Sequence, residues 1–233
     1  MKTTDSERVR LLAEADLLLA FARLLSPPGP GLGPELTSLC EEGAELARLA
    51  ELPEPLPFAT MRAACAECGP SGISADHARL FEGAQAAPPN ETAYVRRDKG
   101  AILGDVAGFY RAFGFGPRTG FGEKPDHVAA ELEFTALLLV MQAEAPDGDK
   151  AAVTCGAVTA FASDHLGGFL PGFCATLAAT GGPFHQALAA GLHSFWVEFA
   201  ARRGLTAADG IKVPFAEPEP TGATFECGPC VGG

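Results

Sequence analysis

Pro125-Asp126-His127 heads a long apolar run, Val128 to Met141, and brings a carboxylate and an imidazole into the first turn of a helix. Proline suits that turn, and an acid there lies beside free amides and the positive end of the helix dipole. His127 and Glu131 are four residues apart, so they share one face with Phe134 a turn further on, while Glu133 points elsewhere. A carboxylate one turn from an imidazole orients it and favours its protonated form, which suits binding a donor-rich or charged ligand. The same pair offers two metal ligands, but no third stands at a recognisable spacing. The plainer reading makes Asp126 a helix-capping acid and His127 a bystander. The glycine-rich passage Gly114 to Lys124 leads into this segment, so an exposed, positioned polar site is expected.

A second candidate is the loop holding Phe81-Glu82-Gly83 and Pro88-Pro89-Asn90-Glu91-Thr92-Ala93-Tyr94. Its prolines stiffen it, and Glu91 with Tyr94 would display an acid and an aromatic together; the alternative is an ordinary surface loop. A third is formed by two cysteine pairs, Cys65/Cys68 and Cys227/Cys230, each with the two-residue gap of a zinc or iron–sulfur knuckle. Cys227-Gly228-Pro229-Cys230 also has the form of a thioredoxin redox pair, but only three residues follow it, where that motif opens a helix.

Other enzyme signatures are missing. There is no phosphate-binding loop and no nucleophile elbow, and Gly29-Pro30-Gly31-Leu32-Gly33 lacks the strand that a dinucleotide fingerprint needs. The sequence therefore assigns neither a catalytic residue nor a cofactor. A net charge of −12 argues against a nucleic-acid partner, whose phosphates need a basic face, and fits a basic peptide. Glu14, Asp16 and Arg23 interrupt the one stretch that tempts as a signal sequence, and no run reaches a membrane span. Seven cysteines without a short-loop pattern read as reduced thiols in the cytoplasm.

The elements that must hold these residues are helices. Ala, Leu and Gly outnumber Val, Ile and Tyr, and strand-type alternation is nearly absent, so the fold class is all-α: a single-domain helical bundle. Thr4-Asp5-Ser6-Glu7 is a capping box ahead of Leu11, Ala15, Leu18, Ala22 and Leu25, and Ser26 to Gly31 ends that helix. Further helices are expected from Pro34 to about Leu49, Phe58 to Cys68 and Ser74 to Phe81. After the long loop they resume over 102–113, 126–144, 150–165, 173–180 and 185–203. The domain is read as 1–204, with a Pro/Gly-rich tail over 205–233.

Four segments in order carry a resemblance: Asp76-His77-Ala78-Arg79-Leu80-Phe81-Glu82-Gly83; Pro88-Pro89 with Glu91 and Tyr94; Val106-Ala107-Gly108-Phe109-Tyr110 with Phe113-Gly114; and Pro125-Asp126-His127 with Glu131, Leu132 and Phe134. This series resembles the TorD/DmsD/NarJ group of redox-enzyme maturation chaperones, nearer the TorD/DmsD branch. The resemblance implies a cytoplasmic, non-enzymatic chaperone of the TorD-like helical type. Its partner would be a molybdopterin-containing oxidoreductase subunit, bound at its twin-arginine signal peptide or in its apo form until cofactor insertion is complete. It also implies a peptide-binding region of Asp126, His127, Glu131 and Pro125, with Glu91, Tyr94 and Phe81 nearby. The competing reading is a metal-binding or redox-active helical protein using Cys65, Cys68, Cys227 and Cys230.

Overall fold

Thr4 starts the first helix, α1 (Asp5–Leu25), as the capping box requires: its hydroxyl accepts a hydrogen bond from the Glu7 amide at 3.2 Å. The computed structural model describes residues 4–29, 32–53, 56–116, 124–205 and 213–215. Leu11, Ala15, Leu18, Ala22 and Leu25 are all buried, as their spacing demands. Their helix packs most extensively against α5 (Val128–Ala143), the helix behind Pro125-Asp126-His127. No strand occurs among the described residues, and the all-α expectation holds.

Two helices flank this central pair. α2 (Leu32–Leu49) and α3 (Phe58–Phe81) approach so closely that a Cβ on Gly43 would lie 2.4 Å from the Phe58 ring. Phe58 in turn stacks on Phe21 of α1, with ring centroids 6.0 Å apart. The two helices expected around Gly69-Pro70 form one bent element. Gly69 takes φ 64° and ψ 167°, a kink that glycine tolerates, and the helix resumes beyond Pro70.

α4 (Lys99–Ala112) is capped by Asp98, which accepts from the Ala101 amide at 2.8 Å, and it ends at Gly114, whose φ is +68°. α6 (Gly148–Phe161) runs into a π-helical turn, Ala162–Leu166, and then directly into α7 (Gly167–Thr180). The break expected at Gly167-Gly168 and Pro171-Gly172 is absent. Phe169, Leu170 and Phe173 are fully buried there, and their burial outweighs the poor helix propensity of their neighbours. α8 (Pro183–Arg202) opens with proline in its first turn, two residues earlier than its pattern suggested. Most of the tail expected over 205–233, including Cys227 and Cys230, lies outside the described residues, as do residues 117–123 of the glycine-rich lead-in.

Candidate functional site

The two loop candidates meet. Asn90 and His127 form an isolated antiparallel bridge: the Glu91 amide donates to the Asp126 carbonyl at 3.0 Å, and the Val128 amide donates to the Pro89 carbonyl at 2.8 Å. One side chain fixes this junction. Asp126 Oδ2 accepts from the Thr92 amide at 3.1 Å and from its hydroxyl at 2.7 Å, while Oδ1 accepts from Asn90 Nδ2 at 3.0 Å. Asp126 therefore caps the 3₁₀ turn Glu91–Ala93, an element 34 residues away in sequence, rather than its own helix. Behind it, the Tyr110 hydroxyl donates to the Pro125 carbonyl at 2.8 Å.

The expectation of an exposed acid at this point is overturned. Asp126, Glu91 and Glu131 are each 0 % exposed. The physical reason is the bridge, which places the Pro-Pro loop over the start of α5 and lets loop amides and hydroxyls replace the water that Asp126 would otherwise hold. His127 and Pro125 remain half-buried, at the rim.

His127 is the residue that caps α5. Its Nδ1 accepts from the Ala129 amide at 3.2 Å, which requires an unprotonated ring nitrogen. Burial lowers its pKa to about 4, against a favourable contribution from Asp126. The pairing expected between His127 and Glu131 does not form. His127 has extended backbone as the cap, and neither Glu131 oxygen has a hydrogen-bond partner among the described residues. Burial, together with Glu91 and Asp126, raises the Glu131 pKa well above its ordinary value, which favours the neutral acid.

The imidazole that does meet a carboxylate at this junction is one that spacing could not single out. His165 Nδ1 lies 2.9 Å from Glu91 Oε2, and both side chains are 0 % exposed. His165 sits in the π-helical turn, so the Pro-Pro loop is clamped to α5 by Asp126 and to the α6–α7 connection by Glu91. Tyr94, 1 % exposed, packs on Phe169 and Phe173, and burial raises the pKa of its phenol. Phe81, 8 % exposed, lies edge-on to His77 and stacks on Phe173. Glu91, Tyr94 and Phe81 thus belong to one buried wall and display nothing to solvent.

The first segment of the series forms a second clamp. Asp76 accepts from the Gly182 amide at 2.8 Å and from Arg79 at 2.5 Å, and it lies 2.7 Å from His185 Nδ1. Burial opposes its charge, yet the Gly182 amide, Arg79 and His185 together hold its pKa below the usual range. It ties α3 to the start of α8.

Residues 42–175, more than half of the chain, match the nitrate reductase delta subunit family, and that span contains the whole junction from α3 to the π-helical turn. The chain belongs to this family. No curated protein matches it. Membership in the nitrate reductase delta subunit family makes the protein a redox-enzyme maturation chaperone of the NarJ/TorD type. The ordered segments that carried the resemblance do, within this family member, the work of joining loops to helices.

Cys65 and Cys68, offered for a metal in the competing reading, do not converge on further ligands. Among the described residues no group of three or more His, Cys, Asp or Glu side chains is placed to hold a metal ion. Cys65 is buried on α3 and hydrogen-bonds Cys40 of α2. That bond and burial push the Cys65 thiol well up, away from the thiolate that metal binding or redox exchange needs. The metal-or-redox reading is not supported.

Proposed function

We propose that this chaperone holds a molybdopterin oxidoreductase subunit, by its twin-arginine signal peptide or in its apo form, in the cytoplasm until cofactor insertion is complete. Delay of twin-arginine export follows from that hold. The single observation that carries the reading is the family match over 42–175, which spans the clamped junction of the Pro-Pro loop with α5. The ordered segments support a reading nearer the TorD/DmsD branch.

At the junction, Pro125 and His127 form the outer rim that contacts the peptide. Asp126, Glu91, Glu131, Tyr94 and Phe81 act from beneath, holding the rim in one shape so that little ordering is left for the moment of binding. A neutral His127, already used as a cap, is suited to apolar and hydrogen-bonding contact rather than to ion pairing. No described helix is long and apolar enough to cross a membrane.

Isothermal titration calorimetry tests this with a synthetic peptide that carries the leader of a molybdopterin oxidoreductase with its paired arginines. A saturable heat that is lost when the paired arginines become glutamine supports the reading. Absence of heat, together with failure of the chain to retain the apo subunit on a column, overturns it.

A further inference from the structure

The carboxylates first expected to grip a basic peptide are enclosed, but other acids face solvent beside apolar surface. One place combines them. Between α1 and α2 an open groove of about 530 Å³ is walled by Leu19, Leu39 and Leu46 and rimmed by Asp16, Glu42 and Glu45. Leu19 is 44 % exposed and Val9, ten residues earlier, 45 % exposed. With Leu12 and Asp16 between them they form a row at helical spacing, extending the apolar surface over about 15 Å of α1. The close approach of Gly43 to Phe58 turns the other side of α2 toward α3, which leaves the Leu39, Glu42 and Leu46 row over the groove.

We propose that this groove docks a cationic amphipathic helix, a partner segment that brings arginine or lysine to the rim and apolar residues to the floor. Charge complementarity selects that occupant. Asp16 has no ion-pair partner among the described residues, and Glu42 accepts only from the Ser38 hydroxyl at 2.7 Å. Glu45 is held by Arg48, an exposed pair that a partner arginine can exchange with at little cost. A second copy of the chain would bring a net charge of −12 to an acidic rim. The segment 216–233 carries Glu217, Glu219 and Glu226 and no lysine or arginine, so it is equally ill-matched. An apolar floor with an acidic rim is the chemistry by which a groove takes the apolar face of a basic helix. The inference rests on the proposed function only for the identity of the partner, a signal peptide being one such segment.

Fluorescence anisotropy with two probes separates the two ideas: a labelled twin-arginine leader, and a designed Leu/Arg amphipathic helix without the leader motif. Both are expected to bind the full chain. Asp16→Lys with Glu42→Lys should weaken each by about tenfold or more, and Leu19→Gln by several-fold, with melting temperatures unchanged because these positions are exposed. Asp149→Lys, an exposed acid on α6, should change neither. If the leader binds and the groove variants leave its affinity unaltered, the groove assignment is wrong while the chaperone function stands. If the designed helix binds in the groove and the leader does not, the groove stands and the twin-arginine reading falls. A dimer that the lysine variants dissociate would make the occupant a second copy and overturn the proposal.

Discussion

Glu14 and Glu131 are buried carboxylates on the two helices that pack most extensively together, α1 and α5, and their surroundings are opposites. Glu14 accepts from Arg202 at 3.0 Å and from Arg203 at 2.6 Å, and Arg202 also donates to the carbonyls of Ala50 and Glu51. Two guanidinium groups from the end of α8 close α1 against the end of α2 and share the one carboxylate, Glu14. Glu131 has no partner among the described residues and has Glu91 and Asp126 for neighbours, with one imidazole, His165, on the far carboxylate. The first cluster joins α1 to the ends of α2 and α8 by ion pairs and hydrogen bonds. The second crowds three acids under one loop without an arginine, an arrangement that costs stability.

The largest effect should come from removing the imidazole of the crowded cluster. His165→Ala leaves Glu91 fully buried beside other acids and should cost about 3–5 kcal/mol in urea unfolding. Glu14→Ala should cost less, about 2 kcal/mol, because Arg202 keeps its carbonyl partners and both guanidinium groups reach water. A larger loss for Glu14→Ala would break the contrast between the clusters.

Asp126→Ala comes next, at about 3 kcal/mol. It removes an acceptor from the Thr92 amide, the Thr92 hydroxyl and the Asn90 amide group in one step. Hydrogen exchange localises the effect: the Thr92 and Glu91 amides should lose protection while those of α1 and α8 keep theirs. Uniform loss of protection would mean that the clamp is not local.

How much of this was legible follows from the range of each interaction. The Thr4 cap, the α1 stripe and the Gly114 turn were readable because their partners lie within a few residues. The junction was found as two separate candidates, since nothing local says that Asn90 pairs with His127. The spacing of His127 and Glu131 suggested a pair because it assumes both are inside the helix. His127 is instead the cap, with extended backbone and its ring nitrogen turned to the Ala129 amide. His165 gave no signal at all: it read as the end of an ordinary helix, and its meaning comes from Glu91, 74 residues away. The acids were expected outside because acids usually are, and the loop that covers them is placed only by tertiary contact.

A smaller effect follows from acid. His127 titrates near pH 6.5 when unfolded and near 4 when folded. The unfolded chain therefore takes up the proton first, so the contribution is whole above about pH 6.5 and drains away as pH falls toward 4. By pH 5 the loss should be about 2 kcal/mol. His127→Ser keeps a capping oxygen and removes the titration, so its stability should fall less than that of the parent between pH 7 and pH 5. An identical fall in both would place the acid sensitivity elsewhere.

The smallest effect has the opposite sign. Glu131 is raised far above its ordinary range, so the folded chain holds a proton that the unfolded chain releases above about pH 4.5. Its contribution therefore weakens the fold as pH rises above about 4.5. Glu131→Gln keeps the shape and the neutrality of the acid and abolishes that penalty. Its melting temperature should match the parent near pH 4 and exceed it at pH 8. Glu14→Gln should move the other way at pH 8, because it exchanges a carboxylate that two arginines require for a neutral amide. Opposite signs for the same change on two buried acids of adjoining helices is the sharpest form of the contrast, since neither burial nor helix packing alone can produce it.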